Sequence, residues 1–281
     1  MSVSHGADDQ LLDVRLADAS PLRRWYLRHE RLVLGLLGFI VVLAIWEAVT
    51  QLGWLKYIFV SSPSRITQSA ILAFRQGAVW GDIGVSLLEF SLGFVLAAVI
   101  GITVGLIGGW SKRASYIIDP WLSAIYATPD VALIPLIVLW LGIGLPSKIF
   151  VVFLTAVFSI AVNTLYGVHS VDPRLLDVAR SYSAGHATVF RTVIIPSTIP
   201  YMLTGLRLAS GRALVGVVLA ELIASNQGIG HLISVAGVTL NTARVMFGVI
   251  LLGLFGIFLG EVLRRVEKRF DVWRPSPVGD D

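Results

Sequence analysis

Six stretches of the chain stay apolar for about as long as a bilayer is thick, and this repetition limits the possible folds more than any motif does. They fall at residues 32–50, 83–109, 114–141, 148–167, 199–224 and 245–263, and roughly 20 apolar residues in helical form cross about 30 Å of hydrocarbon. Lipid offers no hydrogen bonds to a bare backbone, so each run is expected as a helix. Composition agrees, because 56% of residues are hydrophobic and 14% charged, where a soluble domain carries about 25% charged residues. The expected class is an all-α integral membrane protein with about six transmembrane helices. The third run is the least regular. Pro120, Pro129 and Pro135 each remove a backbone donor there, so that span is expected to be kinked or broken.

The basic residues are sorted by side. Arg23, Arg24, Arg28 and Arg31 precede the first run, Lys112 and Arg113 follow the second, Arg174, Arg180 and Arg191 lie between the fourth and fifth, and Arg264, Arg265, Lys268 and Arg269 follow the sixth. The opposite side holds Lys56, Arg65, Arg75, Lys148 and Arg244. Lysine and arginine concentrate on the cytoplasmic side of membrane proteins, so both termini are expected in the cytoplasm. The net charge of +4 then reflects orientation in a lipid membrane, and no nucleic-acid partner is expected. The chain divides into a cytoplasmic segment at 1–31, a membrane domain at 32–265 containing an inner loop at 170–198, and a cytoplasmic tail at 266–281. The first thirty residues carry Asp8, Asp9, Asp13 and Asp18 without an apolar core, which is not the pattern of a cleaved signal peptide. With no cysteine in the chain, disulfides, thiolate metal sites and cysteine nucleophiles are excluded.

Two short segments carry helix signals outside the spans. Ser62 and Pro63 read as the cap and first residue of an amphipathic helix with Ile66, Ala70 and Phe74 on one face, expected at the outer membrane surface. The inner loop reads as two short helices. Asp172 and Pro173 start the first, which carries a stripe of Leu175, Leu176, Val178, Ala179 and Tyr182; Ala184 and Gly185 allow a turn; the second, from His186 to Ile194, is expected to end at Pro196, where the next span begins.

The run Asp177-Val178-Ala179-Arg180-Ser181-Tyr182-Ser183, followed after nine residues by Val193-Ile194-Ile195-Pro196, resembles the E-A-A-x-x-x-G-x9-I-x-L-P loop of binding-protein-dependent ABC transporter permeases. Residues 86–109, Thr128-Pro129 through Trp140-Leu141-Gly142-Ile143-Gly144, Asn163-Thr164 with Gly167, and Pro200 through Gly205-Leu206-Arg207 to Ala220-Glu221 resemble the nitrate/sulfonate/taurine-type subfamily. The likeness extends over about residues 63–269. It implies a type I ABC importer permease fold and a permease subunit of an ATP-driven importer in the bacterial inner membrane. It further implies a homodimer, two copies of an ATPase subunit that bind ATP and Mg, an extracytoplasmic solute-binding protein, and no cofactor in this chain. The cargo it implies is a small solute, an organic or inorganic anion such as nitrate, sulfonate or taurine.

By the same resemblance the loop docks in a groove of the ATPase, through Asp177, Val178, Ala179, Arg180, Ser183, Ala184, Gly185 and Pro196. Small residues allow close approach, and the Asp177 and Arg180 charges set the register. The alternative is a solvated loop whose stripe packs on its own bundle. Three positions depart from the pattern: Asp177 replaces Glu, Val178 replaces Ala, and Ser183 stands at the glycine position with Gly185 the nearest glycine. The turn glycine therefore reads as displaced, which is expected to shift the loop geometry by part of a turn.

Charges at membrane depth face the bundle interior or a water-filled path. Arg207, Arg212 and Glu221 are candidates for the translocation path, and Asn163 and Trp140 are weaker ones. For each, the alternative is structural: snorkelling or ion pairing for the arginines, a helix–helix hydrogen bond for Asn163, an interface anchor for Trp140. Glu89 stands where the subfamily tends to have arginine, a difference in local pairing. Gly93, Gly101 and Gly105 are spaced for close helix packing. The sequence holds no G-x-x-x-x-G-K-[ST] run, so ATP hydrolysis is expected in a separate subunit and the chain itself is not expected to be an enzyme. A secondary transporter driven by an ion gradient is the competing reading, though it needs an internal repeat that the sequence does not display.

Overall fold

A computed structural model describes residues 21–270. Among the described residues there are helices and connecting turns and no strand. The expected cytoplasmic segment at 1–31 lies outside the described residues up to residue 20, as do most of the side chains that follow, including Arg23, Arg24, Arg28 and Arg31; the tail lies outside from residue 271. The chain divides into two compact units, one up to Thr67 and one from Gln68 onward.

The first unit contains α1 (Pro21–Gln51) and the start of α2 (Pro63–Gln76). Within it the indole of Trp46 donates to the Ser61 carbonyl at 2.9 Å, and the Glu47 carboxylate accepts the backbone N–H and the hydroxyl of Ser64 at 2.9 and 2.7 Å. The Ser62 hydroxyl accepts the Arg65 N–H at 3.4 Å, so Ser62 and Pro63 start α2 as their residue types imply.

The second unit continues through α3 (Ala78–Trp110), α4 (Lys112–Ala127), α5 (Asp130–Leu141), α6 (Leu145–His169), α7 (Pro173–Ser181), α8 (His186–Val189), α9 (Ile195–Ala224), α10 (Ile229–Val238) and α11 (Thr242–Phe270). Its centre is α6, packed between α3 and α9, with Phe90, Ala97, Val152, Ala156, Ile160, Ala209 and Val217 buried along the two seams. Glycine makes these seams close. A Cβ on Gly93 would stand 2.5 Å from the Val152 Cβ, one on Gly101 2.9 Å from the Ile160 Cβ, and one on Gly105 2.5 Å from the Thr164 Cβ. The three glycines serve the helix packing their spacing implies.

Four helices are individually long and apolar enough to cross a membrane: α1 over Leu32–Gln51, α3, α6 and α11. A bent pair, His186–Ala224 with Ile229–Val238 at 49°, is together long and apolar enough for a fifth. The expected third span is two helices, and of its three prolines Pro129 makes the break. Thr128 before it is extended (φ −80°, ψ 132°), the conformation imposed on a residue that precedes proline. Pro120 and Pro135 lie inside α4 and α5, which continue past them. At 12 residues, α5 is only about 18 Å long, too short to cross alone.

Candidate functional site

The inner loop is built from its caps. The Asp172 carboxylate accepts the Arg174 N–H at 2.8 Å, and Pro173 takes the first helical position of α7. At the other end the Ser183 N–H reaches the Arg180 carbonyl at 2.8 Å and the Ala184 N–H reaches the Ala179 carbonyl at 3.1 Å. This pair of reversed bonds closes a helix over one left-handed residue, commonly glycine. Here that residue is Ser183, with φ at +53°.

Two expectations about the loop are corrected. The turn is not displaced to Gly185, which is extended at φ −67° and ψ 157°; the left-handed residue sits where the family motif has its glycine. Two backbone bonds hold Ser183 there against a cost of about 1–2 kcal/mol for a residue with a Cβ. Nor does the second helix end at Pro196. It passes through a π-helical turn (Phe190–Ile194) into α9, with the Ile195 N–H bonded to the Phe190 carbonyl. The widened turn accommodates a residue with no N–H, so Pro196 lies in the first turn of α9 within a continuous rod.

The loop presents an apolar face outward. No residue of α7 is buried, and Leu175, Val178 and Tyr182 are exposed, Tyr182 by 84%. Leu176 turns inward against Val168, Val171 and Ile194. Asp177 and Arg180 form an exposed ion pair at 3.0 Å. Ala179, Ala184, Val193 and Pro196 share an apolar groove between α7 and the start of α9.

The intramembrane candidates separate. Arg207 on α9 pairs with Glu267 on α11 at 3.2 Å, and Arg212 on α9 pairs with Asp130 at the start of α5 at 2.6 Å. Their side chains remain 51% and 34% exposed. Asn163 donates to the Ser159 carbonyl of its own helix at 2.7 Å, with its Cβ against the position of Gly205 on α9. Trp140 is exposed near the end of α5. Glu221 is fully enclosed; it accepts the Ser86 hydroxyl and the Gly230 N–H, each at 2.6 Å.

Sequence reasoning missed the partners. Lys148, read as a basic residue of the outer side, is buried in an ion pair with Glu89, and its ammonium donates to the Ser225 hydroxyl at 2.9 Å. The signal was present in Glu89, because a carboxylate inside an apolar run demands an internal partner. Among the described residues no cluster of His, Asp or Glu is arranged to hold a metal.

This architecture has counterparts among known proteins. Residues 97–272 match the family model described as binding-protein-dependent transport system inner membrane component. The chain is 33% identical over 245 residues to a putative aliphatic sulfonates transport permease protein of Bacillus subtilis, covering 87% of this chain and 89% of that one. It is 32% identical over 256 residues to the taurine transport system permease protein of Escherichia coli, covering 89% and 92%. Its fold is similar to that in an inward-facing structure of the MetNI methionine ABC transporter, with a TM-score of 0.57 and 17% identity, covering 69% of this chain and 94% of that one. The chain therefore belongs to the binding-protein-dependent transport system inner membrane components and is a membrane-spanning permease subunit of an ABC importer.

Proposed function

We propose that two copies of this chain form the translocation path of an importer for small anions, with sulfonates, taurine and nitrate as the cargo class. Both termini lie in the cytoplasm. Two copies of an ATPase subunit, which bind ATP and Mg, dock on α7 and the adjoining turn through Asp177, Val178, Ala179, Arg180, Ser183, Ala184, Gly185 and Pro196. A solute-binding protein delivers cargo to the opposite face. The relatives named for sulfonate and taurine transport support the cargo class. Arg207 and Arg212 support it as well, because each offers a partly exposed guanidinium beside the carboxylate that neutralises it, and an anion of suitable size competes with that carboxylate for the same donors. Asn163 and Trp140 flank this path. Glu221, enclosed and bonded to Ser86 and Gly230, holds the helix junction instead of lining the path.

The observation that carries the docking assignment is the outward-facing stripe of α7. A cytoplasmic helix that leaves Leu175, Val178 and Tyr182 open while its ends are fixed by Asp172 and Ser183 is prepared to enter a groove on a partner. Past the Ser183 turn, α8 continues without a break through the π-helical turn into α9, so a push on the loop reaches the span as rigid-body motion. Replacing Ala179 with Trp blocks close approach. Co-purification of the ATPase subunit with A179W is expected to fall at least tenfold with membrane insertion unchanged. Undiminished binding together with undiminished cargo-stimulated hydrolysis contradicts the assignment.

A further inference from the structure

At the end of α9 away from the coupling loop, about 45 Å along a helix of 30 residues, the chain breaks and turns by 49° into α10. Three consecutive backbone N–H groups at the start of α10 are each captured by a side chain. Gly228 donates to the Asp82 carboxylate at 2.9 Å, Ile229 to the Ser86 hydroxyl at 3.0 Å, and Gly230 to the Glu221 carboxylate at 2.6 Å. Asp82 and Ser86 belong to α3 and Glu221 to α9, so the two flanking elements are tied to one set of amides. The Ser86 hydroxyl in turn donates to the other Glu221 oxygen at 2.6 Å. One turn along α3 from Ser86, the buried Glu89 pairs with Lys148 of α6, and Lys148 donates to Ser225 in the connecting turn.

The glycines show what this arrangement is built around. Gly228 has φ at +113°, and a Cβ on it would strike the Glu221 carboxylate; a Cβ on Gly230 would stand 2.7 Å from the Glu221 Cβ. Successive amides at a helix start form a concavity that elsewhere binds a free anion. Here the occupant is a side chain of the same subunit.

We propose that the Glu221 carboxyl, with Asp82 and Ser86, latches the break between α9 and α10 to α3, and that Lys148 and Glu89 extend the latch to α6. These are positioning residues: they touch no cargo, and they make the ends of α3, α6 and α9 farthest from the ATPase move as one block. The physical basis is all-or-none. Parting α10 from α3 and α9 would leave three amides without partners at once and take from the enclosed Glu221 its backbone donor, so the junction holds or opens as a unit rather than yielding gradually. Motion driven from the coupling loop is then delivered at this end whole. The proposal rests on the permease reading for its consequence in transport, though the latch itself is a property of the single chain.

The test uses that separation. The chain has no cysteine, so Leu88→Cys on α3 and Val235→Cys on α10, both exposed, take a pair of spin labels without background. In the permease alone, in lipid nanodiscs, the latch requires one narrow distance distribution, broadened at least twofold by Glu221→Gln and by Ser86→Ala. In the importer assembled with its ATPase, the same variants are expected to raise the ATP hydrolysed per cargo molecule at least fivefold, whereas a merely structural defect lowers hydrolysis and uptake together. A broad distribution in the unsubstituted permease, or a narrow one retained in both variants, overturns the latch. If Glu221→Gln does not insert, the unsubstituted distribution and Ser86→Ala decide it. Failure of the ATPase to dock leaves the label measurement standing, so the two readings fail separately.

Discussion

Ser183 holds a left-handed backbone that a glycine would adopt without penalty, and it stands exposed at the end of α7 with two reversed backbone bonds around it. The strain predicts its own relief. Ser183→Gly removes the Cβ clash and is expected to strengthen the loop closure by about 1 kcal/mol. Hydrogen exchange at the amides of residues 183 and 184 reads this as a slowing of about fivefold, and equal or faster exchange refutes the strain. Residue identity misled here. Reading the glycine as displaced followed the letter at Gly185, while the conformation followed the position in the helix ending. The charged residues teach the same lesson, because Glu89 announced a buried partner but not that Lys148, distant in sequence, supplies it. Likewise Arg207 and Arg212 were legible as costly intramembrane cations, and their carboxylates Glu267 and Asp130 were not. Pairing at long range leaves no periodic trace.

At the scale of elements, hydrophobic runs and caps marked where helices lie, since both signals are local. Breaks were less legible. Pro129 breaks its span while Pro120 and Pro135 are carried inside helices, and Pro196 is absorbed by a π-helical turn, so a proline's effect depends on how neighbouring backbone groups are satisfied. The α3–α6 seam offers a direct check. A Cβ at Gly105 would stand 2.6 Å from the Ala161 carbonyl oxygen as well as 2.5 Å from the Thr164 Cβ, whereas one at Gly84 of the same helix meets nothing within 4 Å. Gly105→Ala is expected to destabilise the folded permease by about 1–3 kcal/mol through overpacking, and Gly84→Ala to be neutral or stabilising by up to about 1 kcal/mol through helix propensity. Thermal unfolding in detergent separates them. Equal melting temperatures contradict the close-packed seam.

For the whole molecule, the proposed function has cytoplasmic ATP hydrolysis, received at α7, drive the continuous rod from α8 to the far end of α9 and move an anion through a path made by two copies. Membership in the importer family was legible in the loop spacing and the flanking stretches, whereas the latch at the far end needed three dimensions to be seen. Proteoliposomes containing this permease, its ATPase subunit and its solute-binding protein allow the decisive measurement, uptake of radiolabelled taurine. Uptake is expected to require both ATP and the binding protein, to survive ionophores that collapse ion gradients, and to fall at least tenfold in A179W. Uptake that proceeds without ATP and stops when the ion gradients are collapsed contradicts the claim.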